Sequence, residues 1–232
     1  MFKAKKPQKQ QKTNDNQQLK SYAASFCTAV VSGVAGETYM LIQSRKLNTQ
    51  NLLAPAYRDA CVISGVQQVA KDFSKNTLKK SPYLYNLSVK NPFIFGAMTG
   101  LPMWALTRLV ATPLQNSRKT DVKQPFDGLF KSIINDVGYH TVKNGIDEYF
   151  AAKVFPKVLP QLPNFATQKL VEASLAGLVG GASYVISWPY KGVLTGQNIS
   201  EAAKLMLKNT PKVAVKKLTY TLVRPQFANL IK

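Results

Sequence analysis

Residues 93 to 119 read FIFGAMTGLPMWALTRLVATPLQNSRK, an apolar run closed by a short basic cluster. From Phe93 to Leu114 the run is poor in charge and rich in small residues, and roughly 20 such residues suffice to cross a bilayer as a helix. Two further stretches share this character: Ala23 to Ile42 (AASFCTAVVSGVAGETYMLI) and Leu170 to Tyr190 (LVEASLAGLVGGASYVISWPY). Each carries one ionisable residue in or beside its apolar run, namely Glu37, Arg108 and Glu172. Inside a membrane helix such a group faces a protein interior or a watery cavity. Small residues recur at helical spacing, as Gly33 and Gly36, Gly96 and Gly100, and Ala176, Gly180 and Gly181, which lets helix backbones approach closely in lipid.

The intervening segments 57–79, 126–136, 145–157 and 200–217 are more polar yet keep helical spacing, with prolines punctuating their ends. Strand-like alternation is nearly absent, so an all-α membrane protein is expected. Residues 1–18 are rich in Lys, Gln and Asn and cannot pack on themselves; residues 1–19 are expected to form a polar, basic extension. They lack the apolar core of a secretory signal, and the arginines and amphipathic period of a presequence.

The basic ends of the apolar stretches are related. Met40-Leu41-Ile42-Gln43-Ser44-Arg45-Lys46 and Pro113-Leu114-Gln115-Asn116-Ser117-Arg118-Lys119 agree at four of seven positions. The third stretch ends in Trp188-Pro189-Tyr190-Lys191-Gly192-Val193-Leu194, which puts the anchors Met40, Pro113 and Pro189 at intervals of 73 and 76 residues. The chain thus divides into units at 20–90, 91–165 and 166–232. Three such units, each opening with a membrane-length helix, resemble the mitochondrial carrier family. In the second unit Phe126-Asp127-Gly128 is similar to the family's aromatic-x-Gly element, and Gly138 and Gly145 have its seven-residue glycine spacing.

The resemblance implies a three-repeat, six-helix bundle with short matrix helices in the mitochondrial inner membrane. It also implies cardiolipin or another phospholipid at helix amino ends, which falls on Phe126, Gly128, Asn144 and Gly145, and on Tyr57 and Arg58, where the following glycine is replaced by Asp59. A working carrier closes a matrix-side gate with paired acids and cations. Here the acid positions hold Ile42, Gln115 and Lys191, and the cation positions hold Arg45, Arg118 and Leu194. Cations without carboxylates repel, so a closed gate of that type is not expected. The gate motif of the even-numbered helices is not recognisable either; Asp72-Phe73-Ser74-Lys75 has its residue types out of order. Glu37 and Arg108, three and five residues ahead of their anchors, are expected to face the central cavity, as an internal ion pair or with Arg108 as an anion contact. The last helix is expected to be confined to about residues 218–232, short for a crossing.

Composition narrows the function classes. Cys27 and Cys61 are too few for a disulfide framework, and with His140 alone they cannot close a zinc site. Tyr139, His140 and Asp136 are expected in a matrix-facing turn, without catalytic work. With no nucleotide-binding or nucleophile-elbow motif, no enzyme and no cofactor are expected. The formal net charge of +20 asks for an anionic partner, but 26 of the 31 cations are Lys, which suits anionic lipid better than base-reading arginines would suit nucleic acid. The expected function is a non-transporting, carrier-like accessory subunit of a large inner-membrane complex, of the respiratory chain (cytochrome c oxidase, for example) or ATP synthase. Its partners would be other subunits and anionic phospholipid. The alternatives are a divergent carrier of an anionic metabolite, with Arg45, Arg108, Arg118 and Lys191 lining its cavity, and a basic mitochondrial ribosomal or nucleic-acid-binding protein.

Overall fold

The computed structural model describes residues 8–121, 124–191, 196 and 198–231. It is 87% helical, with no strand among the described residues. Three helices are long and apolar enough to cross a membrane: Asp15–Gln43, Pro92–Asn116 and Phe165–Tyr190. They contain the three apolar stretches. A helix satisfies its own backbone polar groups, which a hydrocarbon core demands.

The α-helices are α1 (Gln8–Gln43), α2 (Thr49–Leu53), α3 (Pro55–Leu78), α4 (Pro82–Lys90), α5 (Pro92–Asn116), α6 (Leu129–Tyr149), α7 (Phe155–Val158), α8 (Phe165–Ser187) and α9 (Ile199–Leu230). Their starts follow local chemistry. Asn91 and Asn164 accept the main-chain N–H groups of Ile94 and Thr167 at 3.2 and 2.8 Å, and Pro55, Pro82 and Pro92 occupy first turns where no N–H is missed. Gly128 turns the chain into α6 with φ of 73°, a conformation glycine adopts without steric cost. The end of α1 is less usual. Lys46 N–H bonds to Leu41 O at 2.8 Å and Arg45 N–H to Ile42 O at 3.0 Å, a Schellman closure whose left-handed residue is Arg45, φ 56°.

Long helices pack as antiparallel neighbours in chain order. α1 lies on α3, α3 on α5, α5 on α6, α6 on α8 and α8 on α9, and α9 returns to α1, closing a ring. In the pairs α1–α3, α5–α6 and α8–α9 the approach is set by small residues. A side chain at Gly96 would collide with Asn144 O, and one at Gly100 would meet Thr141 Cα at 2.8 Å. A side chain at Gly33 would meet Cys61 Cα at 3.1 Å, and one at Gly177 would meet Ala214 O at 3.1 Å. The turns after α1, α5 and α8 share one end of the bundle, the anchor end, with Met40, Pro113 and Pro189 at or near the ends of their helices. α4 and the irregular segment from the π-helical turn Phe150–Val154 through α7 lie at the other, the connector end.

Several expectations change. Residues 8–18 are not a separate extension but the start of α1, since Lys and Gln favour helix. No matrix helix precedes α6 at 126–136; α6 is continuous from Leu129 through Gly145, and Asp136, Tyr139 and His140 lie in its interior rather than in a turn. The last helix is not confined to 218–232. α9 runs for 32 residues, roughly 48 Å at 1.5 Å per residue, with Pro211 and Pro225 inside it. Leu194 lies outside the described residues.

Because a left-handed non-glycine residue is strained, Arg45→Gly should raise unfolding stability by about 1 kcal/mol in a detergent thermal melt. An unchanged or lower midpoint would mean that the Arg45 side chain holds the turn.

Candidate functional site

All six long helices line a central cavity of about 570 Å³. Charged residues crowd its wall: Lys71 and Lys75 from α3, Lys143 from α6, and Lys212, Lys216, Lys217 and Arg224 from α9, against the carboxylates Glu37, Asp72, Asp147 and Glu148. Seven cations therefore meet four acids.

The acids are shared. Buried Asp147 accepts from Lys217 Nζ at 2.7 Å and Lys143 Nζ at 3.0 Å, lies 3.9 Å from Lys71 Nζ, and receives the Ser183 hydroxyl at 2.9 Å. One carboxylate thus joins α3, α6, α8 and α9. Its neighbour Glu148 pairs with Lys75 and lies 3.6 Å from Lys71. A second cluster closes the ring. Glu37 on α1 accepts from Lys212 at 2.7 Å and Lys216 at 3.1 Å, both on α9, while Lys216 also donates to Ser64 Oγ on α3 at 3.1 Å. Gly36 leaves the space that the Lys216 stem fills. In an enclosed site such pairs hold mainly because removing one partner strands the others.

Toward the anchor end, ion pairs run between chain neighbours. Arg108 Nη2 of α5 meets Asp136 Oδ2 of α6 at 3.1 Å and donates through Nη1 to Gln115 at 3.3 Å. Its guanidinium lies 4.4 Å from the Trp104 ring, on which His140 stacks at 3.8 Å. Arg118 reaches Asp59 of α3 at 2.6 Å, and Lys191 lies 4.0 Å from Asp136.

These contacts correct several expectations. Glu37 and Arg108 are not partners. Glu37 lines the cavity with α9 lysines, and Arg108 pairs with Asp136 outside that lining. The anchor cations do not lack acids; Asp59 and Asp136 come from the neighbouring α3 and α6. Arg45 is exposed beyond the end of α1, so it joins no ring, and Ile42 is exposed in the last turn. Gln115 lines the cavity. Although no gate motif is recognisable in their sequence, α3, α6 and α9 are joined by charge pairs, through Lys71, Lys75, Asp147, Glu148 and Lys217.

The lipid positions separate. Gly128 precedes the amino end of α6, with Phe126 exposed beside it, and Tyr57 and Arg58 lie in the first turn of α3. The Tyr57 hydroxyl is 2.8 Å from Thr38 Oγ1. Asn144 and Gly145 cannot offer a helix end to a phosphate. They are buried inside α6, Asn144 Nδ2 on Met103 Sδ at 3.3 Å and Gly145 against Phe93.

Of the cavity charges, Glu37, Asp72 and Lys75 are singled out by the sequence, and the remaining lysines, Arg224, Asp147 and Glu148 are not. The adjacent Asp147-Glu148 in a chain with only 11 acids, and Lys212 one turn before Lys216, were the available signals. No family model, curated protein or solved structure matches the chain.

Replacing Asp147 by Asn strands Lys71, Lys143 and Lys217 together. Loss of about 3–5 kcal/mol is expected in a thermal or denaturant unfolding experiment, with partial recovery in Asp147→Asn/Lys217→Met. Equal stability of Asp147→Asn and the parent protein would remove this cluster from the account.

Proposed function

We propose that this chain is a non-transporting, carrier-like structural subunit of a large mitochondrial inner-membrane complex, of the respiratory chain or ATP synthase. Three membrane-length helices, three units anchored at Met40, Pro113 and Pro189, and six long helices closing a ring support the carrier-like part of this reading.

The observation that carries the non-transporting part is the pattern of ion pairs at the anchor end. Alternating access requires interactions that form in one state and exchange in the other. Among the described residues, Arg118–Asp59 joins α5 to α3, Arg108–Asp136 joins α5 to α6, and Lys191–Asp136 ties the end of α8 to α6. Each link fastens a helix to its neighbour in the ring. None crosses the lumen from one repeat's anchor to the next. Deeper in the bundle, Asp147 holds α3, α8 and α9 to α6 at once. Such a bundle suits a wall in an assembly. Phospholipid and neighbouring subunits would cover its exposed apolar faces, which include Leu101 and Leu109 of α5 and Leu170 and Leu178 of α8.

A second reading has its own observation: three more cations than acids in the cavity wall fit a divergent carrier of an anionic metabolite. Purified protein reconstituted in liposomes separates the two. Exchange of labelled phosphate or dicarboxylate should equal that of protein-free vesicles, and the protein should migrate with a large complex on native gels of mitochondrial membranes. Exchange well above the protein-free rate would overturn the structural reading in favour of transport. Release of the native protein by alkaline carbonate would overturn membrane embedding and favour the basic ribosomal alternative.

A further inference from the structure

The connector end carries a short helix, α4, that the repeat does not explain. The segments that join the long helices at this end, 79–91 with α4 and 150–164 with α7, contain no Asp or Glu. α4 itself spans nine residues, about 14 Å, which is too short to cross a bilayer. It packs on α5, whose membrane-length run begins at Pro92, two residues after α4 ends.

We propose that α4 is a surface helix that lies in the plane of the membrane and docks on anionic phospholipid headgroups. The proposal rests on the membrane-embedded reading above, because the start of α5 sets the depth of α4. Leu84 and Leu87 are half-buried, whereas Tyr83, Tyr85 and Val89 are 75%, 53% and 57% exposed. The exposed apolar surface continues into α5 through Phe93 and Ile94. Tyrosine suits this depth, with its ring among acyl carbons and its hydroxyl among headgroups. Lys79, Lys80 and Lys90 flank these residues, all exposed and none in an ion pair among the described residues. Lys157, exposed on α7, adds to the same basic end. Aromatic and apolar groups between lysines, with no acid in α4 or its flanking turns, match a negatively charged lipid surface. A protein partner would have to supply both carboxylates and an apolar face.

The test uses the full chain with Cys27→Ala and Cys61→Ala, reconstituted in phosphatidylcholine vesicles with and without about one third phosphatidylglycerol. An environment-sensitive fluorophore is placed on Asn86→Cys in α4 or on Met98→Cys, an exposed position of α5. Expected at position 86 is a blue-shifted emission quenched by lipid spin-labelled near the headgroup, at least about twofold more strongly when phosphatidylglycerol is present. Most of that difference should vanish in Lys79→Gln/Lys80→Gln/Lys90→Gln, and Tyr83→Ser should weaken the quenching while retaining the helical circular dichroism. A fluorophore at 86 that stays water-exposed in both vesicle types overturns the proposal. Shielding at 86 that arises only within the native complex also overturns it, in favour of a protein partner. Position 98 separates the two levels: quenching there by a deep spin label with none at 86 defeats only the surface helix, whereas no quenching at either defeats the membrane reading.

Discussion

A carboxylate enclosed by six helices has to be held by cations, and Asp147 is held by three that come from three different helices. This constraint organises the bundle. Burying a lone charge is costly, so Lys71, Lys143 and Lys217 must converge on it, and their helices must stand where their side chains can reach. Ser183 brings α8 to the same point. Glu37 plays a similar part at the seam between the first and last long helices, where Lys212 and Lys216 meet it. Small residues make these meetings possible, since Gly180 lies against the Lys217 stem and Gly36 against that of Lys216.

The odd-numbered long helices of the ring were legible in the sequence because their outer faces are apolar and the groups they turn inward are mostly small or hydroxylic, such as Ser25, Thr28, Thr99, Thr107 and Ser183. Their anchors were legible because a repeated basic ending leaves a periodic mark. The even-numbered ones were harder. α3, α6 and α9 carry all the cavity charges but Glu37, so their hydropathy falls to that of a soluble helix, and α9 reads as two pieces, 200–217 and 218–232. In context the charges are satisfied across the lumen, and one helix runs through both pieces.

The site was less legible than the fold. Lys216 and Glu37 are 179 positions apart, and no local spacing announces that they meet. The anchor cations Arg118 and Lys191 were visible, but their acids lie on other helices, at Asp59 and Asp136. Arg108 was correctly marked as a charge needing a partner, and the partner differed because Asp136 stands opposite it across the α5–α6 contact. Asn144 and Gly145 have the spacing of a helix start and lie in a helix interior, since that motif names residue types and not their place in the chain's hydrogen bonding.

Taken together, a ring fastened between neighbours and tied through its middle should occupy one arrangement. Electron spin distance measurement across the anchor end tests this most directly, with nitroxides on Lys46→Cys and Lys119→Cys, both exposed, in the Cys27→Ala/Cys61→Ala chain reconstituted in liposomes. A single distance distribution, unchanged when phosphate or dicarboxylate is added, is the expected result. Two distributions whose proportions shift with the added anion would contradict it, because they would show an anchor end that opens and closes.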